Sequence, residues 1–507
     1  MTEINSVKQL VDYAAEKYKD KVFCRFIRDG QIYSRSFTEF RLNAYSVCRY
    51  IRSITKDKLH IAFIGKTNYE YIACLTGMII SGNTVVPFAP DISVEEACRL
   101  FDDADIDIIF CEEDFLNTAE EIKSRLSHIR SIVSLGDSKG FEEIFNKFSD
   151  EEYRYLSDIE PDPSELSLII YTSGTTGDKK GVMLSSDNLA ANSTYDTYTM
   201  ENDDVSFSIL PMHHIFCYSC DVLKTLYDGG TLCLNGAMND MYNNFLLFEP
   251  TVMRIVPSVL RSLLTKIRIT ERRNPQFTKR EAAEAVVGRN MRKMIAGSAF
   301  LSRSLIDEFE KYGIIARQGY GMSECSPRIT TADFSDECKY SNGKLTGVDE
   351  VRVIDGEIQV RGPSVMMGYY KKPDETAKVF TEDGFLHTGD AGYIENEHIF
   401  LVGRKKNVIV LSNGENISPE EIENRFADET AVKEIIVFAK DDKLCAEIYA
   451  DTAADESDIE EIIDKINILS PSDRQIDSFT LRELPFPKTS TGKIKRTEFR
   501  FSQEETQ

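Results

Sequence analysis

A short hydroxyl- and glycine-rich segment in the first half of the chain could bind a polyphosphate. The segment consists of Thr172, Ser173, Gly174, Thr175, Thr176 and Gly177. It follows an apolar, β-branched run, Leu168 to Tyr171, that is typical of a buried strand. Glycines let backbone N–H groups approach phosphate oxygens closely, and hydroxyls donate further hydrogen bonds. Since Lys179 and Lys180 follow and supply positive charge, we predict a phosphate-binding loop between two strands.

The spacing in this loop differs from that of a common nucleotide-binding motif. In Gly-x-x-x-x-Gly-Lys-[Ser/Thr], the second glycine, counted from Gly174, would stand at the position of Lys179. A plain Ser/Thr/Gly turn between two strands is the simpler alternative. Generic turns seldom combine so many hydroxyls with lysines, so we favour the phosphate-binding interpretation.

A second segment, Gln318 to Glu324, combines glycines, an aromatic ring and a carboxylate. Glycines on both sides of Tyr320 allow its ring face and the adjacent backbone to lie flat against a ligand. Glu324 offers the hard oxygen that Mg²⁺ prefers. A glycine-rich turn before a helix is common, so this segment alone does not establish a site.

The other candidate residues are weak when each is taken alone. Asp390 follows a glycine and could form a turn, His214 could be a core histidine, and Lys493 could belong to a basic surface tail. The small-residue turn from Gly297 through Ser298 to Ala299 could simply join a strand to a helix. Their order along the chain carries more information than any single motif.

In that order, the motifs resemble those of the adenylate-forming enzymes, which include acyl-CoA synthetases, nonribosomal peptide adenylation domains and luciferases. The first segment is similar to Tyr-Thr-Ser-Gly-Thr-Thr-Gly-x-Pro-Lys-Gly-Val, with Lys179 at the usual proline. Tyr320 to Glu324 resembles Tyr-Gly-x-Thr-Glu, with Ser323 keeping the hydroxyl. The resemblance extends from Thr172 to Lys493, whereas residues 1 to 165 match only in general pattern.

The resemblance implies a site for Mg·ATP. The phosphates would contact the residues from Thr172 to Gly177 together with Lys180, and Thr172 and Glu324 would hold Mg²⁺. Tyr320 would stack on adenine. The turn of Gly297, Ser298 and Ala299 would border both the adenine and the acyl pocket, and Ser323 would contact a phosphate. The other nucleotide-binding residues expected around Tyr320 are Gly319, Gly321 and Met322.

The resemblance also assigns the remaining candidates. Asp390 would accept hydrogen bonds from the ribose hydroxyls, and Arg404 would add a ribose or phosphate contact. Lys493 would bridge the substrate carboxylate and the α-phosphate, where two anions must meet. His214 would gate the acyl pocket, and Gly414 would leave room for the pantetheine arm of CoA. The expected catalytic residues are thus Lys493, His214, Thr172 and Glu324.

Composition limits the kinds of partner. The chain of 507 residues carries a net charge of −24, which argues against nonspecific binding to nucleic acid or to an anionic membrane surface. Eleven scattered cysteines indicate reduced thiols, and the N-terminal residues lack the features of a secretory signal. No run reaches the length of a bilayer-spanning helix. We therefore expect a cytoplasmic protein without an integral membrane segment.

The alternation of strands and helices predicts an α/β fold. The large N-terminal domain, 1–405, would hold layered sheets and helices with a β-rich subdomain between Gly343 and Leu401, and a small mobile α+β domain, 406–507, would follow. The hinge position expected from the resemblance is Lys406. Near the start, Phe37 opens a helix with Thr38 as its candidate N-cap.

The resemblance implies an ATP-dependent carboxylic acid–CoA ligase that forms acyl-AMP and releases AMP and pyrophosphate. The sequence around His214 and Gly414 is closest to fatty acyl-CoA synthetases, and no acidic residue is clearly placed to hold an α-amine. We therefore expect a medium- or long-chain fatty acid as substrate. Two alternatives stay open: an enzyme that loads an acyl or peptidyl carrier protein, and a non-catalytic nucleotide-binding protein.

Overall fold

The computed structural model describes residues 4–135, 141, 144–145, 160–173, 179–195, 200–201, 203–411, 416–440, 442–488 and 494–496. Within these ranges, the helices are α1 Val7–Tyr18, α2 Phe37–Ile54, α3 Tyr69–Ile80, α4 Val94–Asp103, α5 Leu116–Arg125, α6 Ser186–Ser193, α7 Ile215–Cys217, α8 Lys224–Asp228, α9 Met241–Phe248, α10 Pro257–Arg273, α11 Lys279–Val287, α12 Arg303–Lys311, α13 Pro373–Val379, α14 Pro419–Asn424 and α15 Glu456–Ile468. A π-helical segment, Tyr218–Leu223, joins α7 to α8.

The strands are β1 Val22–Arg28, β2 Gln31–Ser36, β3 His60–Ile64, β4 Thr84–Phe88, β5 Ile108–Cys111, β6 Ser131–Ser134, β7 Leu166–Ser173, β8 Lys179–Ser185, β9 Val205–Ser208, β10 Thr231–Leu234, β11 Val252–Ile255, β12 Lys293–Ala296, β13 Ile315–Gln318, β14 Thr330–Thr331, β15 Lys344–Leu345, β16 Glu350–Ile354, β17 Glu357–Arg361, β18 Gly368–Tyr369, β19 Leu386–Glu395, β20 His398–Arg404, β21 Ile409–Val410, β22 Asn416–Ile417, β23 Val432–Lys440, β24 Lys443–Ala450 and β25 Ser478–Arg482.

Two seven-stranded sheets form the centre of the N-terminal part. The first has the order β13-β12-β11-β9-β10-β1-β2, and the second has the order β18-β8-β7-β4-β3-β5-β6. Most neighbouring strands run parallel in both sheets. Because the crossover helices cover both faces, the strands are almost continuously apolar, as in Ile61 to Ile64 of β3, which are fully buried.

The hydrophobic core forms three layers of helices, one between the two large sheets and one on the outer face of each sheet. Helices α1, α2 and α3 are packed between the two sheets, where Phe40 and Leu75 meet Phe63 of one sheet and Leu232 of the other. Helices α9 to α12 cover the outer face of the first sheet, and α4 and α5 cover the outer face of the second. Hydrophobic burial on both faces of each sheet therefore fixes the layered arrangement.

Two smaller units complete the fold. A six-stranded antiparallel sheet, β14-β15-β20-β19-β17-β16, forms the expected β-rich subdomain. After it come the hairpin β21-β22 and the three-stranded sheet β23-β24-β25, whose core is packed against α14 and α15. The predicted α/β class, with a large layered part and a smaller α+β part, is confirmed. The boundary between 405 and 406 and the mobility of the small part stay predictions.

The predicted cap of α2 is wrong. Ser36, and not Thr38, is the N-cap: its hydroxyl accepts from the backbone N–H of Glu39, and the carboxylate of Glu39 accepts from the backbone N–H of Ser36. Such a capping box satisfies two helix-end donors at once. The serine three residues before a glutamate is the sequence signal that would have identified this cap.

Candidate active site

Residues from both large sheets meet at the carboxyl ends of their parallel strands. Thr172 lies near the end of β7, Gly297 follows β12, and Gly319 follows β13. His214 follows β9, and its segment reaches the other sheet, where the N–H of Met212 donates to Thr67 Oγ1 at 3.4 Å. In sheets of this kind, ligands bind at the carboxyl ends of the strands.

Tyr320, Asp390 and Arg404 form one hydrogen-bonded group. The Tyr320 hydroxyl donates to Asp390 Oδ2 at 2.6 Å, and Arg404 Nε lies 2.9 Å from Asp390 Oδ1. Arg404 Nη1 also donates to the Thr388 carbonyl at 3.1 Å. Burial, reinforced by the neighbouring Asp390, holds the pKa of Tyr320 well above its usual value. The phenol therefore stays protonated and donates to the carboxylate.

Asp390 does not form the turn that its position after a glycine allowed. It lies inside β19, and its register partner on β20 is Arg404. The pairing of adjacent antiparallel strands brings the two side chains together, which explains how residues fourteen positions apart in sequence come to lie side by side.

Glu324 is a mostly desolvated carboxylate with one strong partner. Tyr369, on β18 of the second sheet, donates its hydroxyl to Glu324 Oε1 at 2.9 Å. Burial raises the pKa of Glu324, and the Tyr369 hydrogen bond opposes that rise. A cation at this position would restore the charged form, so the donor chemistry fits a hard metal such as Mg²⁺.

Lys180 lies beside this carboxylate, on β8. Its Nζ is 2.7 Å from Glu375 Oε2 of α13 and lies over the ring of Tyr369, 5.0 Å from the centroid. Hydrogen bonds from Lys180 and then Lys378 lower the pKa of Glu375 to about 2. Tyr369 and Glu375, neither of them a candidate from the sequence, thus hold Glu324 and Lys180 in place.

His214 has a neighbour that the sequence did not single out. The rings of His213 and His214 lie 4.3 Å apart between centroids. Burial lowers the pKa of His213 to about 3, with further lowering by His214 and by Lys179, and burial and Lys179 also lower the pKa of His214. Lys179 pairs with Glu96 at 2.7 Å. Both imidazoles are therefore neutral at pH 7.

Two glycines of the site are required by close packing. A Cβ at Gly297 would lie 2.8 Å from Cζ of Phe216, so the small-residue turn allows this ring to lie against the backbone. A Cβ at Gly321 would lie 1.9 Å from the Pro327 carbonyl. A side chain at Gly321 would require the backbone to shift, and one at Gly297 would require the Phe216 ring to move. Next to them, the structure places Ser298, Ala299, Met322 and Ser323 in the turns after β12 and β13.

Six predicted site residues cannot be located. Gly174, Thr175, Thr176, Gly177, Gly414 and Lys493 lie outside the described residues. The described strands that flank the first four pair Ser173 with Lys179, so these two residues mark the base of the phosphate hairpin.

The C-terminal part contacts the N-terminal part next to the predicted hinge. Ser418 Oγ donates to the Val402 carbonyl at 2.9 Å. Farther away, Ser302, the N-cap of α12, donates to Asp428 Oδ1 at 2.8 Å. Polar contacts of this kind form and break at low cost.

Comparison with known proteins identifies the family to which this chain belongs. Residues 11–370 match the family model described as AMP-binding enzyme, and residues 406–504 match the one described as AMP-binding enzyme C-terminal domain. The chain belongs to the AMP-binding enzyme family. This confirms the resemblance to adenylate-forming enzymes, and the sequence relatives of this AMP-binding enzyme include long-chain acyl-CoA synthetases.

Two relatives show the degree of similarity. Long chain acyl-CoA synthetase 6, peroxisomal, from Arabidopsis thaliana is 28% identical over 432 residues, which cover 72% of this chain and 60% of that protein. Long-chain-fatty-acid–CoA ligase 5 from Mus musculus is 26% identical over 428 residues, covering 72% and 62%. The alignments with this AMP-binding enzyme thus span about three fifths of those relatives.

Solved structures share the fold over the whole chain. ATP-bound MatB from Rhodopseudomonas palustris superposes with a TM-score of 0.82 at 23% identity, covering 98% of this chain and 99% of that one. o-Succinylbenzoate CoA synthetase (MenE) from Bacillus subtilis, in complex with the acyl-adenylate intermediate OSB-AMP, gives 0.77 at 21%, covering 98% of each chain. These similarities confirm the fold class of this family member.

Proposed function

We propose that this family member is an ATP-dependent carboxylic acid–CoA ligase that works through an acyl-AMP intermediate. The observation that carries the proposal is the convergence of Asp390, Tyr320 and Arg404 with Glu324 at the meeting edges of two sheets. It supplies an aromatic ring, a ribose-type acceptor, a guanidinium and a metal-type carboxylate in one place. A non-catalytic nucleotide-binding protein would not need the last of these.

Each group has a chemical task in this proposal. Asp390 and Arg404 bind the ribose, Tyr320 packs on adenine, and Lys180 neutralises phosphate charge. Bound Mg·ATP supplies the activated α-phosphate. Lys493 lowers the repulsion between the substrate carboxylate and that phosphate, since an ammonium group is a strong donor to developing negative charge.

The neutral histidines favour an apolar acid. His213 and His214 carry no charge at pH 7, so they would not attract a second anionic group, and a hydrophobic chain can lie against their rings. The names of the long-chain relatives support the same choice. We therefore propose a medium- or long-chain fatty acid.

A pyrophosphate-release assay with an acid panel tests the proposal. We expect release with fatty acids of medium or long chain, weak release with amino acids, and completion of the reaction only when a thiol acceptor is added. CoA and a holo acyl carrier protein are compared as acceptors at equal concentration. Amino acids that outperform every fatty acid would refute the substrate class, and ATP that is never cleaved to AMP would refute the ligase.

A further inference from the structure

A stretch on the outer face of the first sheet has a charge opposite to that of the whole protein. From Arg261 to Arg280, the chain contains seven basic residues and one acidic residue, although the net charge is −24. Helix α10 carries most of these cations. Charges farther away than about 8 Å are screened at physiological salt, so this local balance decides what binds there.

Two of the cations have no partner among the residues that the structure describes. Arg272 and Arg273, in the last turn of α10, are exposed and form no ion pair or hydrogen bond with any described residue. Two acidic residues on this side of the first sheet have other partners. Glu271 accepts from the Tyr312 hydroxyl at 2.6 Å, and Glu308 pairs with Arg268 at 2.8 Å. The two guanidinium groups are therefore available to an anionic partner.

Large apolar side chains are exposed on the neighbouring helix. Leu246 and Leu247 of α9 are 50% and 51% exposed, and Ile269 of α10 is 39% exposed. Lys266 Nζ lies over the ring of Tyr242, 5.4 Å from its centroid, which joins the two helices at the surface. Half-exposed leucines next to one another are costly unless something covers them.

These residues lie on two helices that cover the same outer face of the first sheet. Helix α9 follows β10 and α10 follows β11, and these strands point the same way in one sheet. The two helices therefore run in the same direction. Leu246 lies one turn beyond Tyr242, and Ile269 lies one turn beyond Lys266. The two pairs thus lie side by side. We call this surface the basic face; it consists of Tyr242, Leu246, Leu247, Lys266, Ile269, Arg272 and Arg273.

We propose that the basic face binds the surface of an anionic lipid bilayer. Leucine and isoleucine side chains would enter the headgroup boundary, while Lys266, Arg272 and Arg273 contact anionic headgroups. A helix with cations alone would fit any polyanion, but nucleic acid offers no apolar layer for Leu246 and Leu247. The apolar part of the face therefore favours lipid.

Its position argues against a carrier protein as the occupant. Helices α9 and α10 end toward the amino ends of the strands, whereas the candidate active site lies at the carboxyl ends. A carrier that docked on the basic face would hold its thiol at the wrong edge of the sheet. A membrane contact there leaves the site open to solvent.

Co-sedimentation of the full-length protein with vesicles tests the proposal. We expect binding to phosphatidylcholine vesicles that contain about a third phosphatidylserine, and none to pure phosphatidylcholine. Arg272→Glu together with Arg273→Glu should weaken the binding at least about 25-fold, because each cation near such a surface contributes about fivefold. Lys56→Glu together with Lys58→Glu, on an exposed turn away from the face, is the control with the same change in net charge.

The apolar part is tested separately. Leu246→Gln together with Leu247→Gln should remove the binding that persists at 0.5 M salt, on the order of tenfold, since salt screens the charges but not apolar burial. Circular dichroism of each variant shows that it is folded. The proposal would be overturned if wild-type protein did not bind anionic vesicles, or if the charge-reversed variant bound them as well as wild type. Equal binding to duplex DNA would also overturn it. A dimer in gel filtration that dissociates when the two leucines are changed would overturn it as well, because a second copy would then cover the face.

Discussion

The hydroxyl of Tyr320 donates to Asp390 across 2.6 Å, although the two residues stand seventy positions apart in sequence and belong to different sheets. This bond ties the turn after β13 to the middle of β19. It orients the carboxylate whose other oxygen faces Arg404. The nucleotide site that we propose depends on this connection between the layered part and the β-rich subdomain.

Removal of the carboxylate should weaken ATP binding more than turnover. Asp390→Ala should raise KM for ATP by roughly 10- to 100-fold, the cost of losing hydrogen bonds to a charged group. Initial rates of pyrophosphate release at several ATP concentrations measure it. Asp383→Ala, which removes an exposed carboxylate paired with Arg352 in the same subdomain, is the control and should leave KM unchanged. Equal effects of the two variants would contradict a ribose role for Asp390.

Glu324→Gln should change the magnesium requirement. If Glu324 holds Mg²⁺, the neutral amide should raise the Mg²⁺ concentration for half-maximal rate by at least the roughly 10- to 100-fold that loss of an outer partner costs in metal sites. Tyr369→Phe removes the hydrogen bond to Glu324 but keeps the carboxylate. We expect a smaller shift from it. A magnesium titration that is unchanged in Glu324→Gln would exclude Glu324 as a ligand.

Glu375 should position Lys180 for the phosphates. A free lysine loses up to about 2 kcal/mol of rotamer freedom when it is fixed, and the ion pair with Glu375 supplies part of that ordering in advance. Glu375→Gln should therefore raise KM for ATP about two- to fivefold. Lys378→Met leaves both Lys180 and Glu375 in place and should not raise KM. A lower KM in Glu375→Gln would mean that the pair competes with ATP.

Local sequence patterns predicted the secondary-structure elements better than they predicted the contacts between side chains. Alternating apolar segments identified the strands and helices, and motif spacing placed Thr172, Gly297 and Gly319 at the ends of strands. The partner of Lys180 could not be predicted, because Glu375 follows it by 195 positions and only the antiparallel pairing of β18 with β8 brings α13 alongside. The same applies to Tyr369 and Glu324, since nothing near Glu324 in sequence identifies its donor.

For Asp390, the residue was identified from the sequence, but its place inside a strand was not. Its role is implied by the family resemblance, but the strand that contains it extends from Leu386 to Glu395. The glycine before Asp390 was interpreted as a turn signal, whereas Gly389 adopts a φ of +69° within the strand. Backbone hydrogen bonds to β20 override the turn preference there.

Acidification should destabilise the fold through His213. Its pKa is about 3 in the folded protein and 6.5 in its ordinary setting, so the unfolded chain binds a proton between these values that the folded protein does not. The stability that depends on the neutral ring is fully present above about pH 6.5. The free energy of unfolding then decreases as the pH falls toward 3, by at most about 1.4 kcal/mol per pH unit. His213→Gln should show a smaller drop in unfolding free energy between pH 7.5 and 5 in urea titrations. His128→Gln, at an exposed residue, should behave as wild type.

Lys493 should separate the two half-reactions. If it bridges carboxylate and α-phosphate, Lys493→Ala should slow acid-dependent pyrophosphate release by roughly 100- to 1,000-fold, as loss of a donor to developing charge does elsewhere. Conversion of supplied acyl-AMP and CoA to thioester should change little, because no phosphate is attacked in that step. Lys488→Ala, at a lysine paired with Glu434, is the control for the same segment and should leave both steps intact. Since the small C-terminal part must then present different residues to each step, equal loss of both half-reactions in Lys493→Ala would contradict rotation about Lys406 as well as the role of Lys493.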